Sequence, residues 1–124
     1  MNVIVDAYNL MYRLELKGTL EEKREKLISL LSEFLNVNGG SMTVVFDGRN
    51  NPSHHRGADK RGRVRIIYSA QGETADDIIM EMTDKRSEKA RTYVIVTSDN
   101  RIRKYAAERQ IRSITSDEFE EYLT

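Results

Sequence analysis

The chain has 124 residues, enough for one domain with a single core, and 39% of them are hydrophobic against 32% charged, a globular composition on the polar side. No cysteine is present, which excludes disulfides, thiolate zinc sites and cysteine nucleophiles and is compatible with a reducing, cytoplasmic setting. Twenty basic and twenty acidic residues cancel to a formal net charge of zero, and no apolar run is long enough to span a bilayer, so no membrane partner is expected.

The first element is an apolar run, residues 2–5, read as a buried strand that ends on Asp6. Residues 10–18 are ambiguous between a loop and a short helix. The segment 19–40 is the clearest helix: Thr19 and Glu22 form a capping-box pattern, and Leu27, Leu30, Leu31, Phe34 and Leu35 recur at the helical period. Gly39 and Gly40 stop it. Residues 42–46 (MTVVF) form a second buried strand, ended by Asp47 and Gly48.

Segment 48–65 carries Arg49, Arg56, Lys60, Arg61, Arg63 and Arg65 against Asp59 alone, a local charge of +5 that leaves −5 on the rest of the chain. Its Asn, Pro, His, Gly and Arg content predicts a surface loop, and the charge asymmetry points to phosphate. His54 and His55 lie in it, but no Cys or spaced His completes a zinc site. A third strand is expected over 64–69, a helix over 73–90 and a fourth strand over 92–98 ended by Asp99. A helix over 100–110, a short strand over 111–115 and a last helix capped by Ser116 complete the chain. Strands that are continuous apolar runs and alternate with helices imply a three-layer α/β sandwich with a mostly parallel sheet.

Three of those strands end on an acid: Asp6, Asp47 and Asp99. The carboxyl ends of the strands form the ligand crevice of open α/β sheets. A fourth group, Glu73, Asp76 and Asp77, stands at a helix start, and a helix begun by Glu73 would put all three on one face. Each acid alone could be a helix cap or a turn residue. Together they repel one another, which a fold tolerates most readily around a cation such as Mg²⁺ or Mn²⁺. Asn9 could reach back to a metal-bound water, and Ser98 and Thr97 could orient Asp99. Arg101, Arg103 and Lys104 lie near a helix N-terminus, where cations are disfavoured: either a negative group lies close by, the carboxylates or a bound phosphate backbone, or these long side chains reach into solvent or to Glu108. Tyr8 and Tyr12, near the first acid, could stack on a base, with the core as the other place for Tyr12.

VDAYNL (5–10), VVFDGR (44–49), GETADDII (72–79) and VTSDNRIR (96–103) occur in this order. Together they resemble the PIN-like NYN nucleases, in the YacP-like branch, over nearly the whole chain. The resemblance implies five parallel strands in the order 3-2-1-4-5, with strands 1 and 4 adjacent at the switch point and Asp6 beside Asp99. It implies a metal-dependent endoribonuclease in which Asp6, Asp76 and Asp99 hold Mg²⁺ or Mn²⁺. Asp47 matches a family position with a role toward the metal or its water. Related families place the helical acid differently, so Asp77 and Glu73 stand as alternatives. The RNA, messenger or structured, would be tracked by Arg49, Arg56, Lys60, Arg61, Arg63, Arg65, Arg101 and Lys104. A YacP-like bacterial relative acts as a ribosome-associated messenger endonuclease, which implies the ribosome as a partner at branch level. The rival reading is a non-catalytic RNA-binding module on the same fold. A haloacid-dehalogenase-type phosphotransferase would need an Asp where Tyr8 stands.

Overall fold

The computed structural model describes residues 1–48, 52–84 and 92–123. In chain order the elements are β1 (Asn2–Asp6), α1 (Ala7–Leu14), α2 (Leu20–Asn38), β2 (Ser41–Phe46), β3 (Gly57–Arg61) and β4 (Val64–Tyr68). There follow α3 (Ala75–Thr83), β5 (Tyr93–Val96), α4 (Asn100–Glu108), β6 (Arg112–Ile114) and α5 (Ser116–Leu123). The six strands form one sheet in the order β3-β4-β2-β1-β5-β6. All pairings are parallel except β3 with β4. The five parallel strands thus run in the expected 3-2-1-4-5 order.

Successive strand residues point to opposite faces, and the buried positions follow that period. Val3 and Val5 of β1, with Val44 and Phe46 of β2, pack under Leu10 and Met11 of α1, Leu27, Leu31 and Leu35 of α2, and Phe119 of α5. Ile4, Val45 and Ile95 face the other way, against Ile78 and Ile79 of α3 and Ile102 and Ala106 of α4. Covering both faces explains why the central strands read as unbroken apolar runs.

Of the ambiguous residues 10–18, only 10–14 are helical, as the end of α1, which buries Ala7, Leu10 and Met11. The α2 capping box forms as its sequence predicts: Glu22 N donates to Thr19 Oγ1 at 3.1 Å, and Thr19 N donates to Glu22 Oε1 at 3.2 Å. The helix expected over 73–90 is α3, which starts at Ala75 and ends at Thr83 with Asp84 as its C-cap, and 85–90 lie outside the described residues. Two further expectations need correction. Residues 57–61, expected inside a surface loop, form the antiparallel edge strand β3. Arg61 pairs with Val64 in register, so Gly62 and Arg63 make a two-residue turn, with Gly62 at φ 58° supplying the positive φ such hairpins need. GADKR is exposed along most of its length, so it shows no apolar alternation; charges on an edge strand also discourage pairing with other chains. Likewise Thr115, not Ser116, caps α5. Its Oγ1 accepts from Glu118 N at 3.1 Å while its own N donates to Glu118 Oε1 at 3.1 Å.

Gly40 joins α2 to β2 at φ 91°, and a Cβ there would meet the Met1 carbonyl oxygen at 2.5 Å. That carbonyl accepts from Ser41 N at 3.1 Å and starts the β1–β2 register. Gly40→Ala is therefore expected to destabilise the fold by about 1–3 kcal/mol in urea unfolding, through positive-φ strain and displacement of this pairing.

Among the described residues no helix is long and apolar enough to cross a membrane.

Candidate active site

The chain reverses its direction of sheet growth between β1 and β5, and the crevice at their carboxyl ends is where the acids gather. Asp6 ends β1 with extended backbone, φ −75° and ψ 97°. Although it stands at the N-cap position of α1, its side chain makes no cap hydrogen bond. Instead Asp6 Oδ2 accepts from Thr97 Oγ1 at the end of β5, at 3.0 Å. Burial pushes the Asp6 carboxyl from its ordinary 3.8 up to about 6, the charges of Asp76, Asp99 and Asp47 add to this, and the Thr97 hydrogen bond opposes it. Asp76, in the first turn of α3, is also raised, first by burial, then by the charge of Asp99, with smaller contributions from Asp77 and Asp47; Arg101 works the other way. Four carboxylates from four separate parts of the chain thus act on one another. Arg101, near the start of α4, is exposed, and its charge offsets part of the repulsion at Asp76.

Thr97 is wholly buried and serves two acids, donating to Asp6 and accepting from Asp99 N at 3.1 Å. The sequence offered Thr97 as a group that orients Asp99 or as an ordinary turn residue; its bond to Asp6 spans 91 residues, and no local pattern signals it. Asp99 both caps and contributes charge: its Oδ1 accepts from Arg101 N at 2.8 Å and from Ile102 N at 3.4 Å. Asn9 Oδ1 accepts from Ser98 N at 2.9 Å and from Ser116 Oγ at 2.6 Å, while Ser98 Oγ accepts from Ser116 N at 3.1 Å. This knot ties α1 and the start of α5 to the turn that carries Asp99. Because Thr115 takes the capping, the Ser116 hydroxyl is available for it. On the other flank, Gly48 N donates to Ser69 Oγ at 2.6 Å, which fastens the turn after Asp47 to the end of β4.

Two of the acids face elsewhere. The α3 helix starts at Ala75 rather than Glu73, so Glu73 does not share its face. Its carboxylate pairs with Arg56 (Nε to Oε1 2.9 Å, Nη2 to Oε2 2.6 Å), which holds it below the usual carboxylate range. Asp77 forms a capping box with Thr74: Thr74 N donates to its Oδ2 at 3.0 Å, and Asp77 N donates to Thr74 Oγ1 at 3.2 Å.

The basic residues also divide. Arg56 is engaged by Glu73 and Glu81, and Arg61 by Glu25 of α2. Lys60 and Arg65 sit directly opposite each other on β3 and β4, exposed, with Arg63 in the turn between those strands. Like charges in that relation repel, an arrangement that an anion would relieve. Arg101 and Lys104 are exposed on α4. Arg49 lies outside the described residues.

A cleft of about 860 Å³ opens over this edge of the sheet. Asp6, Asp47 and Asp76 line it together with Tyr8, Met11 and Tyr12 of α1, Lys23 and Arg24 of α2, and Tyr68 of β4. Among the described residues no three His, Asp or Glu side chains are gathered tightly enough to wrap an ion directly. The donor set is nonetheless all oxygen and rich in carboxylate. That fits Mg²⁺, which keeps several waters and is usually bound through one or two carboxylates.

Residues 3–124 match the YacP-like NYN domain. The chain belongs to this family. NYN domains are generally nucleases. The YacP-like NYN chain is 30% identical over 105 residues to the uncharacterised protein YacP of Bacillus subtilis, an alignment covering 78% of this chain and 59% of that protein. It therefore spans less than two thirds of that relative's length. Its backbone is similar to the crystal structure of a W164L mutant of Rae1 (YacP) from Bacillus subtilis, with a TM-score of 0.79 at 24% identity, covering 98% of this chain and 74% of the other. A second Rae1 (YacP) crystal structure gives a TM-score of 0.77 at 22% identity, over 99% and 73%. At these identities the two crystal structures establish the shared fold.

Proposed function

We propose that this YacP-like NYN domain is a divalent-metal-dependent endoribonuclease that hydrolyses RNA phosphodiester bonds at the carboxyl edge of its sheet. The observation that carries this reading is geometric: Asp6, Asp47 and Asp76 line one cleft at the carboxyl edge of the sheet, and Thr97 ties Asp6 to the turn that carries Asp99. Structural caps and surface acids do not require mutual repulsion and burial; an ion site does. Asp6, Asp76 and Asp99 would hold Mg²⁺ or Mn²⁺, with Asp47 toward its bound water. When bound, the ion supplies an activated water and neutralises charge developing on the phosphate oxygens.

The chain's own groups do the rest. Thr97 fixes the orientation of Asp6 Oδ2, and the α4 cap fixes Asp99 Oδ1. A cation beside Asp6 would offset the repulsion that pushes its carboxyl up and return it to the charged form that can ligate the ion. Lys60, Arg63, Arg65, Arg101 and Lys104 are exposed cations suited to the phosphate backbone; Arg56 and Arg61 would first have to leave their carboxylate partners. A messenger RNA on the ribosome is the proposed substrate setting.

The deciding experiment incubates end-labelled RNA with the protein in Mn²⁺, in Mg²⁺ and in chelator. Internal cleavage products with metal and none with chelator are expected. RNA binding with no cleavage under any metal returns the non-catalytic RNA-binding module, and cleavage that persists in chelator overturns the ion site. Co-sedimentation with ribosomes tests the partner separately.

A further inference from the structure

We propose that the α1–α2 wall of the cleft is a nucleotide-binding subsite for single-stranded RNA, in which Arg24 receives a backbone phosphate and Tyr12 stacks on a base. The inference rests on the ribonuclease reading of the cleft and adds what that reading lacks, a source of affinity beside the carboxylates. Those acids repel a phosphodiester, and the exposed cations Lys60, Arg63, Arg65, Arg101 and Lys104 do not line the cleft, so cations and ring faces within it would supply affinity where the strand enters.

Arg24 has the required geometry. Its Nε donates to Tyr8 Oη at 2.8 Å, and its Nη2 donates to the same oxygen. Its guanidinium carbon lies 5.6 Å from the centroid of the Tyr8 ring and 5.9 Å from those of Phe46 and Tyr68. Arg13, Arg56, Arg61 and Arg109 all pair with carboxylates. Among the described residues no carboxylate pairs with Arg24, whose hydrogen bonds go to a neutral phenol. It is a half-buried cation, locked in place in the cleft and still short of an anion, with Lys23 beside it on the same lining. A phosphate meets that need, and a guanidinium is well suited to phosphate oxygens.

Tyr12 supplies the second half. It lies one helical turn beyond Tyr8 on the cleft side of α1, yet it is 83% exposed. A large aromatic left open on the wall of a charged cleft is a stacking platform, since every base offers a π face. Tyr68, stacked on Phe46 with ring centroids 5.1 Å apart, lines the same cleft.

The test measures binding of a fluorescent single-stranded 12-nucleotide RNA in chelator, and of the same strand with abasic positions, with Mn²⁺-dependent cleavage assayed in parallel. Tyr12→Ala should weaken binding of the normal strand about tenfold and leave the abasic strand unchanged. Arg24→Gln should weaken both about tenfold and flatten the log–log salt dependence by about 0.7, one phosphate contact on a single strand. Wild-type protein that binds and cleaves RNA while both variants match it overturns the subsite and leaves the ribonuclease reading standing. Wild-type protein that neither binds nor cleaves RNA overturns the ribonuclease reading itself, and the subsite with it. Tyr12 is exposed, so its arm decides the matter even if losing Arg24 loosens Tyr8.

Discussion

Asp6→Asn should abolish metal-dependent cleavage and, in the same molecule, raise thermal stability at neutral pH. The two effects have one cause. Asp6 is half-buried, and its neighbours Asp76, Asp99 and Asp47 are negative, so its charged form is disfavoured and its carboxyl is raised from 3.8 to about 6. The folded protein therefore holds this proton more tightly than the unfolded chain. Between about pH 4 and pH 6, stability contributed by this group falls as pH rises, and above pH 6 the whole penalty is present. Raising a carboxyl from 3.8 to about 6 corresponds to at most about 3 kcal/mol. Asparagine keeps an oxygen for the Thr97 hydroxyl and removes the charge. A gain on the order of 1–3 kcal/mol, or about 4–12 °C in Tm at pH 7, is expected, and the pH 4–6 slope should flatten. Activity should fall at least a hundredfold, since removing one charge-stabilising group from an active site costs about 10²–10³. Millimolar Mn²⁺ should raise the Tm of the wild type more than that of the variant, because the ion offsets the repulsion only where the charge exists. A variant that cleaves at the wild-type rate, or that is less stable than wild type at pH 7, would sink the assignment of Asp6 as the central site carboxylate.

The positions of Asp6, Asp47 and Asp99 at one edge of the sheet were legible because each follows a strand whose apolar run is unmistakable. Asp6, Asp47 and Asp99 need only the rule that such strands lie parallel and open their carboxyl ends to one crevice. The helical acids were harder. Glu73 shares a face with Asp76 and Asp77 only if the helix already includes it, and α3 begins at Ala75, two residues later. Glu73 was therefore read as a neighbour of the site when it anchors Arg56. The strand β3 was hidden for a different reason: an edge strand with little apolar contact has no periodicity to detect, and its only local sign is the glycine turn at Gly62. Contacts that join distant segments through single polar atoms left no sign at all. Thr97 with Asp6 is one such contact, and Asn9 with Ser116, 107 residues apart, is another.

That last contact sets the second large expectation. Ser98 N–H can only donate, so the Asn9 amide must turn its oxygen toward it, and the same oxygen accepts from the Ser116 hydroxyl. Ser116 is 1% exposed. Asn9→Ala leaves the buried hydroxyl and the Ser98 amide without this acceptor, a loss of about 1–3 kcal/mol in urea unfolding. It also frees the Ser98–Asp99 turn, whose neighbouring residue must stay fixed for Asp99 to act on Asp6 and Asp76. Cleavage should drop about 10–100-fold, the usual cost of losing a group that orients a metal ligand. The Mn²⁺ concentration for half-maximal activity should rise, which a purely structural role would not produce. Asn9→Asp separates the two contributions: it keeps an acceptor for both donors and so retains most of the stability, but it adds a fifth carboxylate beside the four. Equal loss of stability in both variants would mean that this oxygen is not what holds the turn; unchanged Mn²⁺ dependence in Asn9→Ala would remove Asn9 from the positioning of Asp99.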